Sequence, residues 1–323
     1  MKRSLLALLV LVCAVLAPAS AAAAAADGPA LRVPEAALDA ALVCSGDVRG
    51  SGHNPILLVA GTTLTPEVFA WNYGPALTAL GRPFCTVALP DNGMADIQVA
   101  AEYVVHAIRA VSAAAGRDVD IVGHSQGGMV PRWALKYWPD TRSRVGDVIG
   151  LAPSNHGTVV AAAVCLPGCA PAFWQQRTGS AFLTALNSGA ETWAGIEYTN
   201  VYTVLDEVVA PNLNDYGSSS LHTGQGRISN VGLQEVCPAH VADHLTTGTT
   251  DGVAFALVVD ALTHDGPADP ARLPADVCTR LLMPGVDPVF LAVNEARMAT
   301  VVATQVALYP HVPAEPPLAE YAR

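Results

Sequence analysis

The sequence predicts an α/β protein built on a mostly parallel sheet with helices on both faces. Three observations lead there. Short, uninterrupted apolar runs recur at residues 55–60, 84–89, 119–122, 148–152 and 200–205, stretches with helical spacing of apolar positions lie between them, and the third run leads directly into Gly123-His124-Ser125-Gln126-Gly127-Gly128. Strands buried on both faces need no polar alternation, and strands alternating with helices are the pattern of a doubly covered sheet.

Taken in order, the chain reads as follows. Residues up to about 52 form a loose segment, and the first strand at 55–60 ends on Gly61-Thr62-Thr63. A helix over 67–80 precedes the second strand, and a helix over 97–115 precedes the third, which ends at Val122. Small residues then let the backbone bend sharply before a helix over 127–138, so Ser125 stands exposed on a strand-to-helix turn. The fourth strand at 148–152, a helix over 180–187 and the fifth strand at 200–205 follow, and 227–236 is a sixth strand candidate leading into a loop rich in Cys, Pro and His. Residues 251–262 and 288–308 are apolar enough for long helices, the second with room to lie across the top of the sheet. Residues 313–317 form an extended tail. No repeat or linker divides residues 27–323, which are expected to form one domain with one core.

Residues 1–26 are set apart as a secretory signal peptide. Lys2 and Arg3 precede an almost wholly apolar stretch, and the alanine run at 21–26 offers A-x-A cleavage sites. The stretch is short for a membrane span, and Val12 stands before Cys13 where a lipoprotein signal has a small residue, so the expectation is a secreted, extracellular protein without stable membrane insertion. Without Lys2 and Arg3, 15 basic residues face 28 acidic ones, a formal charge of −13. That balance excludes a nucleic-acid partner, which a protein meets with clustered positive charge. Six cysteines remain after Cys13 leaves, an even number that suggests up to three disulfides in an exported chain and allows fifteen pairings. Cys165 and Cys169 flank a Pro-Gly turn; Cys44, Cys85, Cys237 and Cys278 are then expected to pair in sequence order.

A serine hydroxyl is a weak nucleophile at neutral pH and needs a base, itself held by a third group. In an open α/β sheet such partners stand on loops after later strands. Asp206 follows the fifth strand, with Glu207 as its rival. His244 follows the sixth, with His240, His222 and His264 as rivals; His240 and His244 also have the spacing of a metal pair, but no third ligand stands at a motif-like spacing. Backbone amides at a helix start are unpaired and suited to a developing oxyanion, which nominates Gln126 and, from the loop after the first strand, Thr62; turn capping is the alternative role for Thr62 and Thr63.

The stretches Gly61-Thr62-Thr63, Ser125-Gln126-Gly127-Gly128, Trp174-Gln175-Gln176 with Thr178-Gly179-Ser180-Ala181, residues 202–208 and residues 241–244 together resemble the Candida antarctica lipase B-like family of secreted serine lipases and esterases, over about residues 55–278. The resemblance implies the α/β-hydrolase fold and hydrolysis of acylglycerols or other carboxylic esters. It puts the nucleophile at Ser125, the acid at Asp206, the base at His244 and the oxyanion donors at Thr62 and Gln126, with no cofactor or metal. It also implies disulfides Cys44–Cys85 and Cys237–Cys278, while Cys165–Cys169 falls in a segment similar to the family's small mobile helix and the family's C-terminal disulfide has no counterpart. His124 replaces a tryptophan of the alcohol-side pocket, Ser154 replaces an acidic residue near the acyl side, and Gln175 with residues 281–308 is expected to line the channel. A monomer acting on small-molecule or lipid esters, at a lipid–water interface and in a bacterium, is the implied setting. The alternatives are a short-chain or polyester esterase and an exported binding protein on a dead hydrolase scaffold.

Overall fold

The computed structural model describes residues 27–50, 52–166 and 168–323; the expected signal peptide and Pro167 of the Cys165–Cys169 turn lie outside the described residues. Its sheet has seven strands: β1 (Leu42–Ser45), β2 (Ile56–Val59), β3 (Phe84–Val87), β4 (Val119–His124), β5 (Val145–Leu151), β6 (Glu197–Tyr202) and β7 (Arg227–Gly232), in the order β1-β3-β2-β4-β5-β6-β7. Only β1 runs antiparallel to its neighbour; every other pairing is parallel.

The strand period of two splits the core. Leu57 and Val59 of β2 join Val119 and Ile121 of β4 in one apolar layer, whereas Ile56 and Leu58 join Val122 and Ile149 in the other. The helices, in chain order, are α1 (Glu35–Ala41), α2 (Tyr73–Ala79), α3 (Ile97–Ala115), α4 (Gln126–Tyr137), α5 (Val160–Val164), α6 (Pro171–Gln176), α7 (Ala181–Asn187), α8 (Leu233–Val236), α9 (His244–Thr249), α10 (Gly252–Thr263) and α11 (Pro288–Leu308). The first layer is sealed by α3 and α4, where Trp133 stacks on Phe182 of α7 with ring centroids 4.2 Å apart. The second is sealed by α2 and by α10, which is buried along nearly its whole length. Asp96 caps α3 by accepting from Gln98 N, and Gly116 in left-handed conformation ends it.

Several boundaries differ from the sequence expectation. The segment up to 52 is not loose: it contains α1 and the edge strand β1, whose residues pair Cys44 directly with Cys85 and are joined there by a disulfide. A four-residue edge strand that is largely exposed carries no apolar signal, and its pairing supplies the order. The helix expected over 67–80 breaks at Asn72 into a 3-10 turn (Pro66–Trp71) and α2, with the Asn72 side chain capping Tyr73 N. The sixth expected strand stops at Gly232, where α8 begins. The fifth lies at Glu197–Tyr202, three residues upstream of the expected start, so Asp206 sits beyond a short turn.

The tail is extended but docked. The Glu315 carboxylate accepts from Ala181 N and Phe182 N at the start of α7, and Tyr321 packs on Trp138 at 5.3 Å between ring centroids. Disulfides Cys165–Cys169 and Cys237–Cys278 complete the set. Among the described residues no helix is long and apolar enough to cross a membrane.

Candidate active site

Ser125 sits between β4 and α4 at φ 56° and ψ −123°, a backbone conformation that costs a non-glycine residue energy and holds the side chain clear of both elements. Two glycines make the turn possible. A Cβ on Gly123 would lie 2.0 Å from Gly127 O, and one on Gly127 would lie 2.1 Å from Val59 O. The turn is pinned by Ser125 N donating to Leu151 O at 2.9 Å and Gly128 N donating to Ser125 O at 3.0 Å.

Ser125 and His244 line one cavity of about 340 Å³, together with Thr62, His124, Gln176 and Ala299, Val302 and Ala303 of α11. The long helix therefore does cross the site. Behind His244, both carboxylate oxygens of Asp206 lie 3.0 Å from Nδ1. Asp206 is itself fixed, because Oδ1 accepts from Val208 N at 3.0 Å and Val209 N at 2.7 Å. An imidazole whose Nδ1 hydrogen faces a buried carboxylate presents an unprotonated Nε2 to the cavity.

The rivals stand elsewhere. Glu207 accepts from the backbone N–H of His244 at 3.1 Å and leaves the ring alone. His240 Nε2 lies 2.5 Å from Asp251 Oδ2 in a separate buried pair that ties the loop before α9 to the cap of α10. His222 turns to Asp215 O, and His264 lies beside Asp260. His240 and His244 thus share no site.

Gln126 opens α4, where its N–H belongs to the first-turn amides that an α-helix leaves without a partner. Its side chain anchors the position by donating to Gly93 O at 2.9 Å. Thr62 Oγ1 accepts from Gln176 Nε2 at 2.9 Å, and Gln176 Oε1 in turn accepts from Ser154 Oγ at 2.9 Å. This chain corrects two sequence expectations. Gln175 does not line the cavity: fully buried, it accepts from Ile97 N at 2.7 Å and donates to Asp96 at the start of α3. Ser154 does not line it either; it reaches Thr62 only through Gln176. Gln176 carries what had been expected of its neighbour, and only the turn of α6 that decides which glutamine faces the cavity could have told them apart.

His124 lines the cavity but is 3 % exposed. Its Nε2 lies 3.1 Å from the carbonyl oxygen of His244, and the two rings are 4.8 Å apart. Burial, reinforced by the neighbouring His244, lowers its pKa to about 3, so the ring is neutral over the range in which enzymes work. A neutral ring bonded to a carbonyl and not to Ser125 is no rival base.

Residues 98–244 match the family described as Lipase (class 2). Lipase B of Pseudozyma antarctica is 38% identical over 235 residues, which cover 72% of this chain and 67% of that protein. The crystal structure of Aspergillus fumigatus lipase B superposes with a TM-score of 0.85 at 33% identity, covering 92% of this chain and 73% of that one. A Bacillus licheniformis lipase in its propeptide form shares the fold alone, with a TM-score of 0.51 at 17% identity over 71% of this chain and 54% of that one.

Proposed function

The chain belongs to the lipase B-like family of class 2 lipases, serine ester hydrolases of the α/β-hydrolase fold, and from that premise we propose that it is an exported triacylglycerol lipase working through Ser125, His244 and Asp206. The observation that carries the assignment is the shared cavity: Ser125 on its strained turn and His244 on its Asp206 support both line it. His244 Nε2 takes the Ser125 proton as Oγ attacks the ester carbonyl, Asp206 stabilises the imidazolium, and Thr62 with Gln126 N–H receives the oxyanion. His244 then protonates the departing alcohol. Water, activated by the same imidazole, attacks the acyl-enzyme, releases the acid and restores Ser125.

A lipid ester is favoured over a small soluble one by the apolar side chains exposed on the segments that carry the site. Leu205 beside Asp206, Val208 on the cavity wall, Val241 before His244 and Val293 on α11 are 48%, 40%, 80% and 62% exposed. Such a rim suits a lipid–water interface. The test is hydrolysis of soluble esters and emulsified triglycerides over a range of chain lengths, with Ser125→Ala as control. Activity that climbs steeply above the solubility limit is expected; equal activity below it would make the protein an esterase, and a Ser125→Ala protein with full activity would remove the nucleophile assignment.

A further inference from the structure

Among the described residues, Glu207 is the one acidic side chain lining the cavity that holds Ser125, and no Lys or Arg lines it with it. The residue is exposed, so a substrate entering from solvent meets it. Its position is fixed as well: Oε2 accepts from the backbone N–H of His244 at 3.1 Å, which keeps the carboxylate beside the base. That N–H is its only partner among the described residues, and no basic group forms an ion pair with it. Asp206 differs, for its buried carboxylate accepts from Val208 N, Val209 N and the His244 ring, and it does not line the cavity.

The rest of the lining does not offset the charge of Glu207. His124 is neutral, and Leu64, Phe173, Val209, Leu245 and Val302 are apolar. A cleft with low-dielectric walls and one sign of charge focuses the field along its length, so a single carboxylate acts over several ångströms. Such a field reaches a charge in either half of an ester, acyl or alcohol. We propose that Glu207 sets the charge selectivity of this cavity, favouring esters that carry a quaternary or protonated amine and turning away esters that carry an anionic group.

This inference rests on the triad reading above, and its test separates the two. Three butyrate esters of similar size are compared at low salt: butyrylcholine, its neutral isostere 3,3-dimethylbutyl butyrate, and the anionic 2-sulfoethyl butyrate. The kcat/KM of each charged ester is divided by that of the neutral one, and comparing these quotients between wild type and Glu207→Gln cancels the intrinsic reactivity of the esters. Gln keeps an oxygen for the His244 N–H and removes only the charge. The cationic quotient should be about five- to tenfold higher in wild type than in Glu207→Gln, and the anionic quotient lower by a similar factor, as for a unit charge several ångströms away in a partly solvated site. Glu207→Lys should shift both quotients further in the same direction as Gln, and added salt should shrink both wild-type preferences. A residue that only braced His244 would change all three esters together and leave the quotients unmoved. Quotients equal in wild type and both variants, or unaffected by salt, overturn the inference, while hydrolysis of 3,3-dimethylbutyl butyrate that is lost in Ser125→Ala leaves the triad standing. A wild type that hydrolyses none of the three overturns both.

Discussion

Thr62 Oγ1 already accepts a hydrogen bond from Gln176, so its own hydrogen is what remains to offer an oxyanion. Gln176→Leu should therefore lower kcat about tenfold with little change in KM, because the contact acts as charge develops and not on substrate binding; a rise in KM at constant kcat would place Gln176 in ground-state binding instead. A second residue-scale prediction lies far from the cavity. Asp147 on β5 stands opposite Glu197 on β6, and burial, then Asp120 and Glu197, raise its pKa to about 8. The unfolded chain gives up this proton near the ordinary carboxylate value of 3.8, so between there and about pH 8 the folded protein binds the extra proton and its stability falls as pH rises. Asp147→Asn should melt higher than wild type at pH 9, by about 2 °C or more, with the gap closing toward pH 4; equal melting at pH 9 would contradict it. Of such residues, the candidates Ser125, Asp206 and His244 were legible from motif and order, whereas the choice of Gln176 over Gln175 was not, since neighbours in a chain differ in facing only once the helix is placed.

Elements with an internal signal were the ones the sequence revealed. β2 and β4 are apolar runs buried on both faces, and α3 and α11 have the bounds that their spacing and caps imply. β1 and α8 have no such signal, and they exist through pairing with β3 and through the turn after Gly232. The element on which function turns is α11: Met298 is its only well-buried residue, yet three of its side chains line the cavity. Burial and the nearby Asp243 raise the Glu295 carboxyl on α11 to about 7. The docked helix thus favours the protonated form, and its hold weakens as pH rises from the ordinary carboxylate value to about 7. Amide exchange across residues 288–308 should speed up over that window beyond its intrinsic pH dependence, and Glu295→Gln should remove the excess; an excess unchanged in the variant would assign it to another group. The opposite rim should stay closed. Cys169 exchanges two backbone hydrogen bonds with Val312, and Thr158 Oγ1 donates to Val208 O, so rapid exchange over residues 158–170 with the Cys165–Cys169 bond intact would contradict a constrained rim.

For the whole molecule, two disulfides fasten the sheet's edge and join the loop before His244 to the segment after α10. Cys44–Cys85 and Cys237–Cys278 each close a loop of 41 residues, for which chain entropy alone is worth about 4 kcal/mol. Replacing both Cys237 and Cys278 by Ala should lower Tm by about 10 °C, and an unchanged Tm would show that docking of α10 and α11 already holds the segment. The fold and the proposed order of nucleophile, acid and base were readable because catalysis in this architecture collects residues from strand ends in a fixed sequence. The burial of His124 was not, since it emerges only when its ring is seen bonded to the carbonyl oxygen of His244. The most direct measurement of the central claim is labelling with a serine-directed phosphonate ester followed by peptide mass analysis. One equivalent bound at Ser125, with ester hydrolysis lost in proportion and no label on Ser125→Ala, is the expected result; label on another residue with hydrolysis lost, or full labelling of Ser125 with hydrolysis intact, would contradict it.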